Sequence, residues 1–175
     1  MATKIEVMIS EEQISKRISE LADIINNDYR GKSVKVVCVL TGGFVFMADL
    51  IKKLDLDVRI DFIDLSSYGN TTESSGDVKI VRDLKTSITG EHVLVIEDIV
   101  DTGRSLRRLR NHLSAHNPAD LKICTLLDKP SRREEELKNL HADYIGFVIE
   151  NEFVVGYGLD FDQRYRNLPF VGKMV

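Results

Sequence analysis

An α/β fold, with a central, mostly parallel sheet flanked by helices, is the architecture this sequence predicts. Two observations carry the expectation. Strand-like and helix-like segments alternate along the chain, and the runs SVKVVCVL (33–40), HVLVIE (92–97) and LKICTLL (121–127) are apolar at nearly every position. A strand with water on one face alternates polar and apolar residues. One that is apolar throughout is buried on both faces, as parallel strands are beneath crossover helices.

The elements follow in order. Ser10 and Gln13 have the spacing of a capping box, and Ile14, Ile18, Leu21 and Ile25 then recur along one helical face until Gly31 marks the end. The strand 33–40 stops at Thr41-Gly42-Gly43 and passes into FVFMADLIKKL (44–54), a helix. VRIDFIDL (58–65) and VKIVRD (78–83) alternate as strands, separated by the polar, glycine-containing stretch 66–76. Strand 92–97 leads to a helix from about Gly103 to His116, and strand 121–127 ends at Asp128-Lys129-Pro130. DYIGFVI (143–149) and FVVGYGL (153–159) supply short β segments near the C-terminus.

The 175 residues suit one domain, with no repeat or linker to divide them. A net charge of -4, from 24 basic and 28 acidic side chains, argues against a protein built to neutralise nucleic-acid phosphates. Cys38 and Cys124 each lie inside apolar runs and read as buried small hydrophobes rather than a disulfide. No stretch reaches the roughly eighteen apolar residues of a membrane span. MATKIEVMISEEQ lacks an apolar signal core, so the expected setting is soluble, reducing and cytoplasmic.

In doubly wound sheets ligands bind beyond the carboxyl ends of the strands. Three such ends here carry unusual residues: Thr41-Gly42-Gly43, Glu97-Asp98-Asp101 and Asp128-Lys129. After the acids, Gly103 opens a helix whose first amides can converge on an anion, with hydroxyls from Thr102 and Ser105 and charge from Arg104. That nest fits a phosphate monoester. Glu97 and Asp98 would repel the same phosphate, and suit instead a hard cation such as Mg²⁺ or the vicinal hydroxyls of a ribose. Singly, each residue is compatible with a solvated strand end or an ordinary helix start. Together they describe a site for a ribose 5-phosphate.

VLVIEDIVDTGRSL (93–106) resembles the signature of the type I phosphoribosyltransferases. VLTGGF (39–44), SSYGNTTESSGDVKI (66–80), LLDKP (126–130) and EFVVGYGLDFDQRYR (152–166) follow in the order of the hypoxanthine-guanine branch of that family. The likeness spans about residues 5 to 170. It implies a core over about 30–150, a small hood from about 1–10 and 150–175, and a lid hairpin over about 66–80.

The resemblance also implies roles. Glu97 and Asp98 would hold the ribose hydroxyls of phosphoribosyl pyrophosphate (PRPP), directly or through Mg²⁺. Asp101 would lie beside purine N7 as general acid/base, and Thr102, Gly103, Arg104 and Ser105 would wrap the 5′-phosphate. Lys129 would donate to the exocyclic oxygen at C6 of a 6-oxopurine, Phe153 would stack on the base, and the backbone of Val154 would read its edge. On the base side, Asp160 would coordinate a Mg²⁺ carried by pyrophosphate. Thr41, Gly42, Ser67, Tyr68 and Arg166 would contact the pyrophosphate itself. The reaction implied is transfer of the phosphoribosyl group to N9 of hypoxanthine or guanine, by a homodimer or homotetramer with neither nucleic acid nor membrane as partner.

Two positions depart from the family pattern. Thr41 replaces a common lysine, and Arg104 stands where lysine is also frequent. The bond Leu40-Thr41 is the place of a cis peptide in relatives. Competing readings are a xanthine- or guanine-preferring enzyme of the same fold, a nucleotide-sensing RNA-binding regulator, and a phospho-accepting receiver domain. The last needs its acid pair near the chain start, and here more than ninety residues precede it.

Overall fold

Six strands form the central sheet in the computed structural model, which describes residues 4–67 and 78–175. They are β2 (Ser33–Leu40), β3 (Asp57–Ser67), β4 (Val78–Arg82), β5 (His92–Val100), β6 (Asp120–Asp128) and β7 (Tyr144–Val148), in the order β4-β3-β2-β5-β6-β7. All neighbours pair in parallel except β4, which returns antiparallel along the β3 edge. From β2 the chain steps outward to β3, and from β5 it steps the other way to β6 and β7. The reversal between β2 and β5 opens a crevice at their carboxyl ends.

The uniformly apolar runs are explained by two cores. On one face Val34, Val36, Cys38, Leu94, Ile96, Cys124 and Leu126 pack under α1 (Glu11–Asp28) and α2 (Phe44–Ile51). On the other, Val37, Val39, Val93, Val95 and Ile123 pack under α3 (Arg104–Ser114) through Leu106, Leu109 and Leu113. Successive strand residues therefore alternate between two buried environments. Both cysteines are free and buried, as their apolar settings predicted.

The capping box that starts α1 is present. The Gln13 amide donates to Ser10 Oγ at 3.3 Å, and the Ser10 amide donates to Gln13 Oε1 at 2.8 Å. The second helix closes three residues before the expected end, and α3 closes two before it. FVVGYGL forms only a two-residue strand, β8 (Val154–Val155), before the chain turns. A second, antiparallel sheet of order β1-β9-β8 joins it to β1 (Ile5–Ile9) and β9 (Val171–Met174), tying the two ends of the described chain together. No helix among the described residues is long and apolar enough to cross a membrane. Tyr68 and most of the expected lid lie outside the described residues.

Candidate active site

The strand β5 does not stop at the acids, as the sequence suggested. Ile99 and Val100 continue its pairing with Leu127 and Asp128 of β6, so Glu97 and Asp98 are anchored inside a strand. Strand pairing on either side of them fixes the backbone that carries both carboxylates. Glu97 is 6% exposed, and its Oε2 has no hydrogen-bond partner. Burial, then the charge of Asp98, pushes the Glu97 carboxyl well above the carboxylate range. Burial also raises Asp98, although the Ile99 amide, donating to its Oδ1 at 2.7 Å, and the Arg166 guanidinium oppose the shift.

Across the crevice, the turn after β2 carries a cis peptide at Leu40-Thr41. Gly42 follows, where a Cβ would stand 1.5 Å from Asp98 Oδ2. Only glycine lets this turn close against the acid. Beyond β5, Gly103 takes φ +91°, a left-handed conformation glycine adopts readily, and turns the chain into α3, where Thr102 Oγ1 accepts from the Arg104 amide at 3.5 Å.

Thr41, Gly42, Glu97, Asp98, Ser105, Asp160 and Arg166 line one cleft of about 520 Å³, with Asp64, Ser66 and Gln163 among its other walls. Glu97, Asp98 and Ser105 also line an adjoining pouch of about 200 Å³ with Asp101, Thr102 and Gly103. Thr41, Gly42, Glu97, Asp98, Asp101, Thr102, Gly103, Ser105 and Arg166, among the residues expected around PRPP, thus line these two adjoining spaces. A larger cavity of about 730 Å³ lies between α1, α2 and the 166–169 turn and shares Arg166 with the cleft. Three of its polar side chains satisfy one another: Lys52 pairs with Asp49 at 2.7 Å, and the Tyr157 hydroxyl donates to the same carboxylate.

Other predicted residues sit differently. The Arg104 guanidinium turns out of the loop to Glu134, leaving only its amide, 3.5 Å from Thr102 Oγ1, facing the nest. Asp160 is spent within its own turn, pairing with Arg166 at 2.8 Å and accepting from the Gln163 amide at 2.8 Å. Asp101 pairs with Arg132 at 3.1 Å. Lys129 is buried at the end of β6, and its amide donates to Val100 O at 3.0 Å. Phe153 is 55% exposed and meets Phe161 edge-to-face, 5.7 Å between centroids. Val154 is buried in β8, opposite Lys173. Ser67 ends β3, paired through its backbone with Val78.

Sequence reasoning missed Arg133. Its buried guanidinium pairs with Asp128 and donates to the carbonyls of Asp101, Val100 (2.9 Å) and Lys129 (3.3 Å). One side chain therefore clamps the ends of β5 and β6, fixing the backbone of both Asp101 and Lys129. Most of its partners are main-chain carbonyls, which leave no mark in sequence.

A crevice at a topological switch point, floored by paired acids beside a glycine-led helix start, is the layout of a sugar-phosphate site. The family model for the phosphoribosyl transferase domain matches residues 8–162, and the chain belongs to that family. It is 47% identical over 174 residues to the hypoxanthine phosphoribosyltransferase of Haemophilus influenzae, covering 98% of this chain and 96% of the relative. It is 50% identical over 167 residues to the bifunctional protein TilS/HprT of Listeria monocytogenes, covering 95% of this chain; the chain spans 25% of that relative's length. Among solved structures, a hypoxanthine-guanine phosphoribosyltransferase from Bacillus anthracis superposes with a TM-score of 0.91 at 50% identity, covering 98% of this chain and all of that one.

Proposed function

We propose that the protein transfers the 5-phosphoribosyl group of PRPP to N9 of hypoxanthine, and of guanine, releasing pyrophosphate. The observation that carries the reading is the Glu97–Asp98 pair, held within β5 between the Gly42 turn and the start of α3. Ribose hydroxyls donate to these two acids while the 5′-phosphate accepts from the amides of the 103–105 turn and the hydroxyls of Thr102 and Ser105. Fixing both ends of the sugar sets C1′ in the cleft between Asp98 and Thr41. The pyrophosphate then lies along the Thr41-Gly42 backbone, within reach of Arg166.

The acid pair fits a divalent cation. A buried carboxylate oxygen without a partner, beside a second carboxylate, is a hard donor set that binds a proton tightly only for want of another positive charge. Mg²⁺ held by Glu97 and Asp98 would neutralise charge on the departing pyrophosphate. Asp160 reaches that role only by releasing Arg166.

The base binds over Phe153, with the Lys129 ammonium donating to the oxygen at C6. Adenine presents an amino group there, a donor facing a donor, and is rejected. Asp101 takes or gives the proton at N7. Its present partner Arg132 forms a half-exposed pair, worth no more than about 1 kcal/mol, which a purine N–H can displace. The Arg133 clamp ties the backbone of Asp101 to that of Lys129, as suits two side chains that address N7 and the oxygen at C6, neighbours on one edge of the base.

A spectrophotometric assay with PRPP, Mg²⁺ and each of hypoxanthine, guanine, xanthine and adenine tests the reading. Turnover is expected with hypoxanthine and guanine and not with adenine. Turnover of xanthine above hypoxanthine would reassign the base, and turnover of none would refute the activity.

A further inference from the structure

We propose that Asp83, His112 and His116 form a second cation site, for a divalent transition metal with zinc as its best occupant, at the end of α3 remote from the cleft. One ligand atom from each lies within 4.8 Å of the other two, the only such group of three or more among the described residues. The spacing of the histidines produces it. His112 lies in the last turn of α3 and His116 two residues beyond its end, with their rings edge-to-face at 5.0 Å, and the segment after β4 brings Asp83 against His112.

Three features suit an ion at this cluster. His112 Nε2 stands 2.9 Å from Asp83 Oδ2 and 3.0 Å from Oδ1, a hydrogen-bonded pair that a shift of a few tenths of an ångström opens to the roughly 3.3 Å between donors around tetrahedral zinc. His116 Nδ1 lies 2.9 Å from the His112 carbonyl. A carbonyl only accepts, so Nδ1 carries a proton, which in the neutral ring leaves the lone pair on Nε2, the arrangement in which metal-bound histidines are usually oriented. The carboxyl end of a helix also favours positive charge. Two imidazoles select zinc and its neighbours over Mg²⁺, and water would fill the fourth position. His112 lies eight residues past the start of α3, about 12 Å along the helix from the phosphate nest. An ion there would pin α3 to the β4 edge without touching the cleft.

The test is calorimetric and thermal titration of the whole chain with Zn²⁺, in excess Mg²⁺ so that the Glu97–Asp98 pair is occupied. One ion per chain is expected, and at a hundredfold excess over Kd a Tm rise of about 5–10 °C. His116→Gln and Asp83→Asn, both conservative changes at exposed positions, should each weaken binding at least tenfold and lose most of the shift. No binding by the unaltered chain would overturn the proposal, as would binding that survives both substitutions.

Discussion

Glu97→Gln should make the apo protein more stable while disabling it. Glu97 is 6% exposed with one oxygen unpaired, and its neighbour is another carboxylate. An unsatisfied buried polar group costs about 1–3 kcal/mol. Glutamine keeps the shape, removes the charge and can donate its amide to Asp98. With about 2–4 °C of Tm per kcal/mol in a domain of this size, the gain is between about 2 and 12 °C. Its pH dependence identifies the cause. A carboxyl whose folded pKa is raised binds protons more tightly in the folded than in the unfolded chain. Its stability is thus complete below the ordinary value of 4.5 and is lost as pH rises through the raised one. In EDTA, variant and wild type should therefore melt together near pH 4, and the variant should pull ahead as pH rises toward 9. Thermal denaturation across that range is the assay, with PRPP affinity measured in parallel and expected to fall. A gap independent of pH, or a variant less stable at high pH, would refute the account of the acid pair.

Arg133→Leu leaves Asp128 buried without its partner and should cost about 3–5 kcal/mol in chemical denaturation. Adding Asp128→Leu should return much of that loss but not the activity, because the carbonyl clamp on Asp101 and Lys129 stays broken. Gly42→Ala would drive a methyl into the Asp98 carboxylate, so KM for PRPP should rise at least tenfold while the fold, read by circular dichroism, survives. Asp101→Asn should lower kcat by about 10²–10⁴ and leave PRPP affinity near wild type, if its role is the one proposed at the base.

The parallel core was plain in the sequence because burial on both faces writes itself as unbroken apolar runs, and SVKVVCVL and LKICTLL became strands nearly residue for residue. The small sheet was not legible from pattern. IEVMI, VV and VGKM are too short to show a period, and only pairing between distant parts of the chain makes them strands. The cleft showed the same division. Paired acids and a glycine-led helix start could be read from VLVIEDIVDTGRSL, because local geometry alone converges those groups. The extension of β5 through the acids could not, since it depends on Leu127 and Asp128 pairing across the sheet. Arg104 illustrates a different limit: its charge suggested phosphate, but Glu134, thirty residues on, takes the guanidinium.

Product analysis of a single reaction mixture tests the central claim most directly. With PRPP, hypoxanthine and Mg²⁺, the nucleoside monophosphate and pyrophosphate should appear in a one-to-one ratio, and neither should form in EDTA. Hypoxanthine left unconsumed, or pyrophosphate released without nucleotide, would contradict it.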